Sequence, residues 1–284
     1  MRKSVALIGY PLGHTLSPAM HNAAFKKLGL DYEYLPVEVA PKELAKALKG
    51  FRVARFAGFN VTIPHKEAVI PLLDEITPVA KVIGAVNTVV NREGRLVGYN
   101  TDGAGFIDSL KEDAKVDPKG KRIVVLGAGG ASRAVSVMLA EAKAVEITLS
   151  DIQDDKAHDL AEYIDDYFDV ICTSVKTNSQ ALQDKIKIAD ILVNTTPIGM
   201  HPNIHHSPLG EKMKLPSNLL VYDLVYNPSE TKLLATAKSA GCKTCSGLGM
   251  LVRQGALAFT LWTGEEAPVE AMRQTAEEKL GQPT

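Results

Sequence analysis

The chain has 284 residues, 45% of them hydrophobic and 23% charged, a balance that excludes disordered and fibrous classes and allows one very large domain or two ordinary ones. Lys and Arg total 32 against 33 Asp and Glu, so the formal net charge is −1, without the basic excess of a dedicated nucleic-acid binder. Three cysteines (Cys172, Cys242, Cys245) are too few for a disulfide framework and favour a reducing compartment. The opening Met1–Ile8 briefly imitates a signal peptide, but its apolar run stops at Gly9-Tyr10-Pro11, and no run nears the ~20 residues of a membrane span. A soluble, cytoplasmic protein with neither nucleic-acid nor membrane partners is expected.

In chain order, Val5–Ile8 reads as a buried strand, and Ser17-Pro18 opens a helix that Ser17 can cap. Tyr32–Val39 alternates like a strand, Pro41–Leu48 reads as a helix, and Gly58–Ile63 reads as a strand that Pro64 ends. A second series starts near Lys119. Arg122–Leu126 is a buried strand, followed by Gly127-Ala128-Gly129-Gly130 and a helix to about Ala142. Further strands are expected at Val145–Leu149, Asp169–Cys172, Ile191–Asn194 and Leu219–Leu224, then a helical block at Leu248–Thr263 and a polar tail. The alternation predicts an α/β fold with a mainly parallel sheet.

Gly127-Ala128-Gly129 stands between a buried strand and an alanine-rich helix, where a dinucleotide fold needs a turn free of side chains so that backbone N–H groups can approach a pyrophosphate. The sixth position of that fingerprint asks for Gly or Ala and holds Ser132, so a plain strand–helix turn is the competing reading. Asp151 ends the next strand, 22 residues beyond Gly129 and close to the ~20 at which an acid bonds the ribose 2′-OH of NAD. From Asp151 to Asp169 there are eight acids and one base, Lys156, and carboxylates there would repel a 2′-phosphate. NAD is therefore expected in preference to NADP.

Lys66 follows the strand that ends at Pro64, and Asp102 sits in the turn Asn100-Thr101-Asp102-Gly103, so both would border one cleft. A lysine can take the proton from an alcohol during hydride transfer, with an aspartate to orient it. The competing readings are a surface lysine and a helix N-cap. Gln254 has only apolar neighbours at helical spacing (Met250, Leu251, Leu257, Ala258), so its amide needs a protein or ligand partner. Cys242-x-x-Cys245 lacks a second correctly spaced pair and is not read as a metal site. His14, His65 and Arg133 adjoin these motifs with structural readings at least as good as functional ones.

Together the motifs resemble the shikimate dehydrogenase family, including its NAD-using quinate/shikimate branch, over essentially the full length. The matching segments are Gly9-Tyr10-Pro11 through His14-Thr15-Leu16-Ser17-Pro18, Asn60-Val61-Thr62-Ile63-Pro64-His65-Lys66, Gly84-Ala85-Val86-Asn87-Thr88 and Asn100-Thr101-Asp102-Gly103. Gly127-Ala128-Gly129-Gly130-Ala131, Asn194-Thr195-Thr196-Pro197, Asp223-Leu224-Val225-Tyr226 and Gly247 through Gln254 also match.

The resemblance implies two domains: an N-terminal α/β substrate domain at 1–103, completed by C-terminal helices at 248–284, and a Rossmann-type dinucleotide-binding domain at 104–247. It implies reversible oxidation of the C3 hydroxyl of shikimate to 3-dehydroshikimate, with Lys66 and Asp102 as the catalytic pair. Thr15 and Ser17 would hold the substrate carboxylate, and Asn60, Thr62, Asn87, Thr101, Tyr226 and Gln254 would bind ring hydroxyls or carboxylate. The loop Gly127, Ala128, Gly129, Gly130 and Ala131, with Asp151, would hold the dinucleotide, and Thr196, Gly247 and Met250 would line its nicotinamide side.

Two departures bear on specificity. Thr15-Leu16-Ser17 replaces the usual Ser-x-Ser, and Ser150-Asp151-Ile152 replaces the Asn-Arg-Thr of NADP-using members. They point to the NAD-using branch, with quinate as a further substrate. A strict NADP-dependent shikimate dehydrogenase and a non-catalytic sensor are the alternatives, and a homodimer is allowed.

Overall fold

The computed structural model describes residues 2–13 and 15–281, and the chain divides into two units, Met1–Gly105 with Leu251–Thr284, and Phe106–Met250. His14 lies outside the described residues.

The first unit opens with β1 (Lys3–Gly9), α1 (Ser17–Lys27), β2 (Tyr32–Glu38), α2 (Leu44–Val53), β3 (Gly58–Val61) and the short α3 (His65–Ala68). It continues with β4 (Glu75–Ile76), α4 (Pro78–Ile83), β5 (Thr88–Arg92), β6 (Arg95–Tyr99) and the start of α5 (Asp102–Glu112). Its sheet runs β2-β1-β3-β5-β6-β4, with β1 parallel to both β2 and β3. The continuous apolar run of β1 matches its place inside the sheet, buried on both faces. Pro36 is tolerated in β2 because that strand is an edge. Ala6, Ile8, Phe59, Val61, Val89 and Leu96 form the core with Leu44, Leu48 and Phe51 of α2.

Three local expectations change here. Ser17 does not cap α1: Leu16 holds the cap position and Ser17 is already helical. The hairpin β5–β6, turning through Glu93 and Gly94 at positive φ, adds antiparallel pairing to β3 that periodicity alone did not reveal. The polar tail is in part a helix.

The second unit contains β7 (Arg122–Leu126), α6 (Gly130–Glu141), β8 (Glu146–Ser150), α7 (Asp154–Tyr167), β9 (Ile171–Ser174) and α8 (Gln180–Ile188). After β10 (Ile191–Asn194) and β11 (Leu220–Asp223) come α9 (Lys232–Ser239) and β12 (Lys243–Ser246). All six strands are parallel, in the order β12-β11-β10-β7-β8-β9. Counted from β7 this is the 3-2-1-4-5-6 order of a Rossmann sheet, whose order reverses between β7 and β10. The chain ends with α10 (Leu248–Thr263) and α11 (Val269–Leu280). In the first unit α11 packs on α1, burying Met272 and Ala276.

Among the described residues no helix is long and apolar enough to cross a membrane, and no group of three or more His, Cys, Asp and Glu side chains is gathered as for a metal ion. Cys172, Cys242 and Cys245 are thiols, and burial beside Asp165 pushes the Cys172 thiol up to about 12.

Candidate active site

In the first unit, candidate residues from six separate segments meet in one hydrogen-bonded cluster. Pro64 ends the extended run after β3, and α3 turns Lys66 inward, where its Nζ donates to Asp102 Oδ2 at 2.5 Å. Both side chains are mostly buried, at 19% and 10% exposure, so the charges are paired in a partly dehydrated setting where they attract more strongly than in water. The Lys66 carbonyl accepts the Val86 N–H at 2.8 Å, which ties the lysine to the loop carrying Asn87.

Asn87 is the hub of the cluster. It is buried, and its Nδ2 donates to Asp102 Oδ1 at 2.8 Å and to Thr101 Oγ1 at 2.9 Å. Its Oδ1 accepts the Thr101 N–H at 2.7 Å. Asp102 thus receives the lysine on one oxygen and an amide on the other, which fixes the plane of its carboxylate. It is not the cap of α5. Asn100 Oδ1 has that role, accepting the N–H groups of Asp102 and Gly103.

Gln254 answers its sequence riddle with protein partners. Its Nε2 donates to Leu251 O at 2.9 Å, and its Oε1 accepts from Asn87 Nδ2 at 3.4 Å. Gly105 permits this approach, because a Cβ there would lie 2.6 Å from the Gln254 backbone nitrogen.

Asn60 belongs to the same web. Its Nδ2 donates to Thr88 Oγ1 at 2.9 Å and to Asn87 O at 3.1 Å, while its Oδ1 accepts from Tyr34 Oη at 2.7 Å. Tyr34 also hydrogen-bonds the Ser17 side chain, and burial raises its phenol well above the ordinary range. A polar line therefore runs from Ser17 through Tyr34 and Asn60 to Thr88 and Asn87. Thr15 Oγ1 accepts the Ser17 N–H at 3.3 Å, whereas Thr62 stands beside the cluster with its backbone N–H given to Ile8 O.

Tyr34 stands in no matching motif, and Thr88 and Asn100 stand in matching motifs without a site role of their own; the structure brings all three into the hydrogen-bonded web. His21 is stacked on Tyr34, with centroids 4.4 Å apart and planes 4° apart, and burial lowers its pKa to about 3, so it is a neutral ring. His65 Nε2 donates to Val39 O at 2.6 Å, which makes it an anchor for α3.

The second unit offers a different kind of site. Gly127 has φ +107°, and a Cβ would fall 2.6 Å from Thr195 Oγ1, so the turn after β7 tolerates only glycine. Ser132, the departure at the sixth position, is buried and donates to Gly127 O at 2.6 Å, closing the turn from within. Gly129 and Gly130 face open space where Cβ atoms would project, and no side chain caps the N-terminus of α6. Free helix N–H groups with room above them fit a dinucleotide pyrophosphate.

Thr196 stands across the sheet's switch point, its N–H and hydroxyl both donating to Asn194 Oδ1. Gly247 donates its N–H to Val225 O at 3.2 Å, Met250 is buried, and burial raises the phenol of Tyr226. Ala131 lies in the first turn of α6. Arg133, on the same helix, lies 5.1 Å over the Tyr163 ring.

Two family models match the chain: the shikimate dehydrogenase substrate binding domain over residues 7–89, and the shikimate 5′-dehydrogenase C-terminal domain over residues 247–277. The shikimate dehydrogenase (NADP(+)) of Methanopyrus kandleri is 50% identical over 276 residues, covering 97% of this chain and 95% of its own. The chain belongs to the shikimate dehydrogenase family. A crystal structure of a shikimate dehydrogenase in complex with NADP+ matches at a TM-score of 0.92 and 41% identity, over 99% of this chain and 96% of that one. The shikimate 5-dehydrogenase of Listeria monocytogenes, solved with shikimate and NAD, matches at 0.89 and 40%, over 96% of each. Membership of the shikimate dehydrogenase family makes the chain an oxidoreductase with the two-domain α/β fold.

The expectation of NAD is overturned. Relatives 45–50% identical are named as NADP(+) enzymes. The physical reason lies in Asp151. Its Oδ2 accepts the Ala128 N–H and its Oδ1 the Gln153 N–H, each at 2.8 Å. The carboxylate is engaged by the backbone of two turns, so an acid at this position does not by itself signal a ribose 2′-OH.

Proposed function

We propose that this chain is an NADP-dependent shikimate dehydrogenase, interconverting shikimate and 3-dehydroshikimate. The observation that carries the reading is the Lys66–Asp102 pair, held at 2.5 Å and braced by Asn87. A sensor on the same fold would have no need of a paired lysine beside a row of inward polar groups.

In this reading Lys66 Nζ enters the oxidation as the neutral amine and takes the proton of the C3 hydroxyl, and as the ammonium it returns that proton to the carbonyl oxygen during reduction. Asp102 aims the lysine and balances its charge. Thr15 and Ser17 receive the substrate carboxylate, and Asn60, Thr62, Asn87, Thr101, Tyr226 and Gln254 receive its hydroxyls or carboxylate. Residues 127–131 and the N-terminus of α6 would hold the pyrophosphate, with Thr196, Gly247 and Met250 on the nicotinamide side. NADP, when bound, supplies the hydride acceptor or donor. The three thiols suit the reducing cytoplasm, where we place the enzyme.

The test is a set of initial rates of nicotinamide reduction with shikimate or quinate, each with NADP or NAD. The highest kcat/KM is expected for shikimate with NADP. Absence of turnover in all four combinations would refute an enzymatic role, and a faster rate with quinate would move the substrate assignment.

A further inference from the structure

Asp223 ends β11 and is completely buried, yet nothing in the proposed reaction uses it. Its Oδ1 accepts Asn194 Nδ2 at 2.8 Å and the Val225 N–H at 3.0 Å, and its Oδ2 accepts Thr231 Oγ1 at 2.6 Å. Burial raises the carboxyl above its ordinary range, and the donors, Thr231 foremost, pull the other way. A carboxylate suits this place because every group facing it is a donor. An amide there would turn an N–H toward another donor.

Each of those contacts leads onward. Asn194, also fully buried, accepts the Thr196 N–H at 3.0 Å and the Thr196 hydroxyl at 2.7 Å on the oxygen of the amide that Asp223 orients. Val225 precedes Tyr226, and its carbonyl accepts the Gly247 N–H. The loops bearing Thr196, Tyr226 and Gly247 are thus all referred to a single carboxylate. Thr231 is meanwhile the N-cap of α9, its Oγ1 accepting the Leu234 N–H at 3.2 Å.

We propose that Asp223 is a positioning residue for the reaction, setting Thr196 through Asn194 and Tyr226 through Val225. The proposal rests on the site reading above, in which Thr196 and Tyr226 touch the reactants. Misplacing reacting groups by about an ångström costs up to ~10²-fold, so Asp223→Asn should lower kcat/KM by roughly 10- to 100-fold while the protein stays folded by circular dichroism.

A double-variant cycle with Thr196→Val separates positioning from mere structural support. If Asp223 works through these groups, combining Asp223→Asn with Thr196→Val, or in a parallel cycle with Tyr226→Phe, will cost less than the product of the single losses, and losses that simply multiply in both cycles would overturn the proposal. Should Asp223→Asn fail to fold, Thr231→Val removes one donor only. A loss of about threefold or more, restored by Thr231→Ser, supports the proposal, and wild-type kinetics in Thr231→Val overturn it. Wild-type rates in both Thr196→Val and Tyr226→Phe would sink the site reading itself, and the positioning role with it. Impairment of those two beside a fully active Asp223→Asn would sink the positioning role alone.

Discussion

The candidate catalytic cluster of the first unit and the glycine turn of the second are made from opposite materials. The cluster consists of side chains that hold one another: Lys66 on Asp102, Asp102 on Asn87, and Asn87 on Thr101 and Gln254. The turn consists of backbone N–H groups, a positive φ at Gly127 and open space beside Gly129 and Gly130. A site of the first kind fails when atoms are taken away, because a buried partner is then left unsatisfied. A site of the second kind fails when atoms are added.

The sharpest way to break this contrast is to alter one residue on each side in turn. Lys66→Ala deletes the proton carrier, and kcat is expected to fall ~10²- to 10⁴-fold, with NADPH affinity unchanged by fluorescence titration. A near-normal kcat in the folded variant would dismiss the assignment. Gly127→Ala does the converse by adding one methyl. It forces a left-handed φ on alanine and drives its Cβ against Thr195, for a cost of ~1–3 kcal/mol read as a lower melting temperature. Cofactor binding should weaken while kcat at saturation changes little. A collapse of kcat with intact binding would reverse the expected division between the two sites.

The same contrast explains what could be read from the sequence. Apolar runs such as Arg122–Leu126 and the glycine turn announce themselves locally, so five of the six parallel strands of the second unit were legible, the exception being the edge strand β12, which has no buried residue. The hairpin β5–β6 was not, because Val89, Val90, Leu96 and Val97 are all buried and leave no polar alternation to count. α11 gave no periodicity of its own, since it buries only Met272 and Ala276 on an otherwise polar helix, and only the resemblance implied helix there. In the site, Gln254 gave a local signal as an amide on an apolar stripe, although its partner Asn87 is 167 residues away. Tyr34 gave none, since a tyrosine in a strand is ordinary until its hydroxyl is seen on Asn60. Asp151 gave a signal that misled, because an acid bracing two turns occupies the same sequence position as one that meets a ribose.

Asp151 is also where the two materials meet, as a side chain whose work is to shape a backbone site, and it yields the smallest expected effect. An acid that bonded the ribose directly would make Asp151→Ala hurt NAD more than NADP, whose 2′ oxygen bears a phosphate, and could even relieve repulsion toward the latter. An acid that joins Ala128 to Gln153 acts on the turn before either dinucleotide arrives. Losing those two contacts, worth ~0.5–1.5 kcal/mol each where well shielded and less where solvent competes, should then weaken NADP and NAD by the same factor, roughly two- to tenfold. The quantity to measure is the ratio of the two dissociation constants in wild type and variant. A constant ratio fits the bridging role, whereas a ratio that shifts toward NADP would return the carboxylate to the ribose and leave the brace between the two turns without a part in cofactor binding.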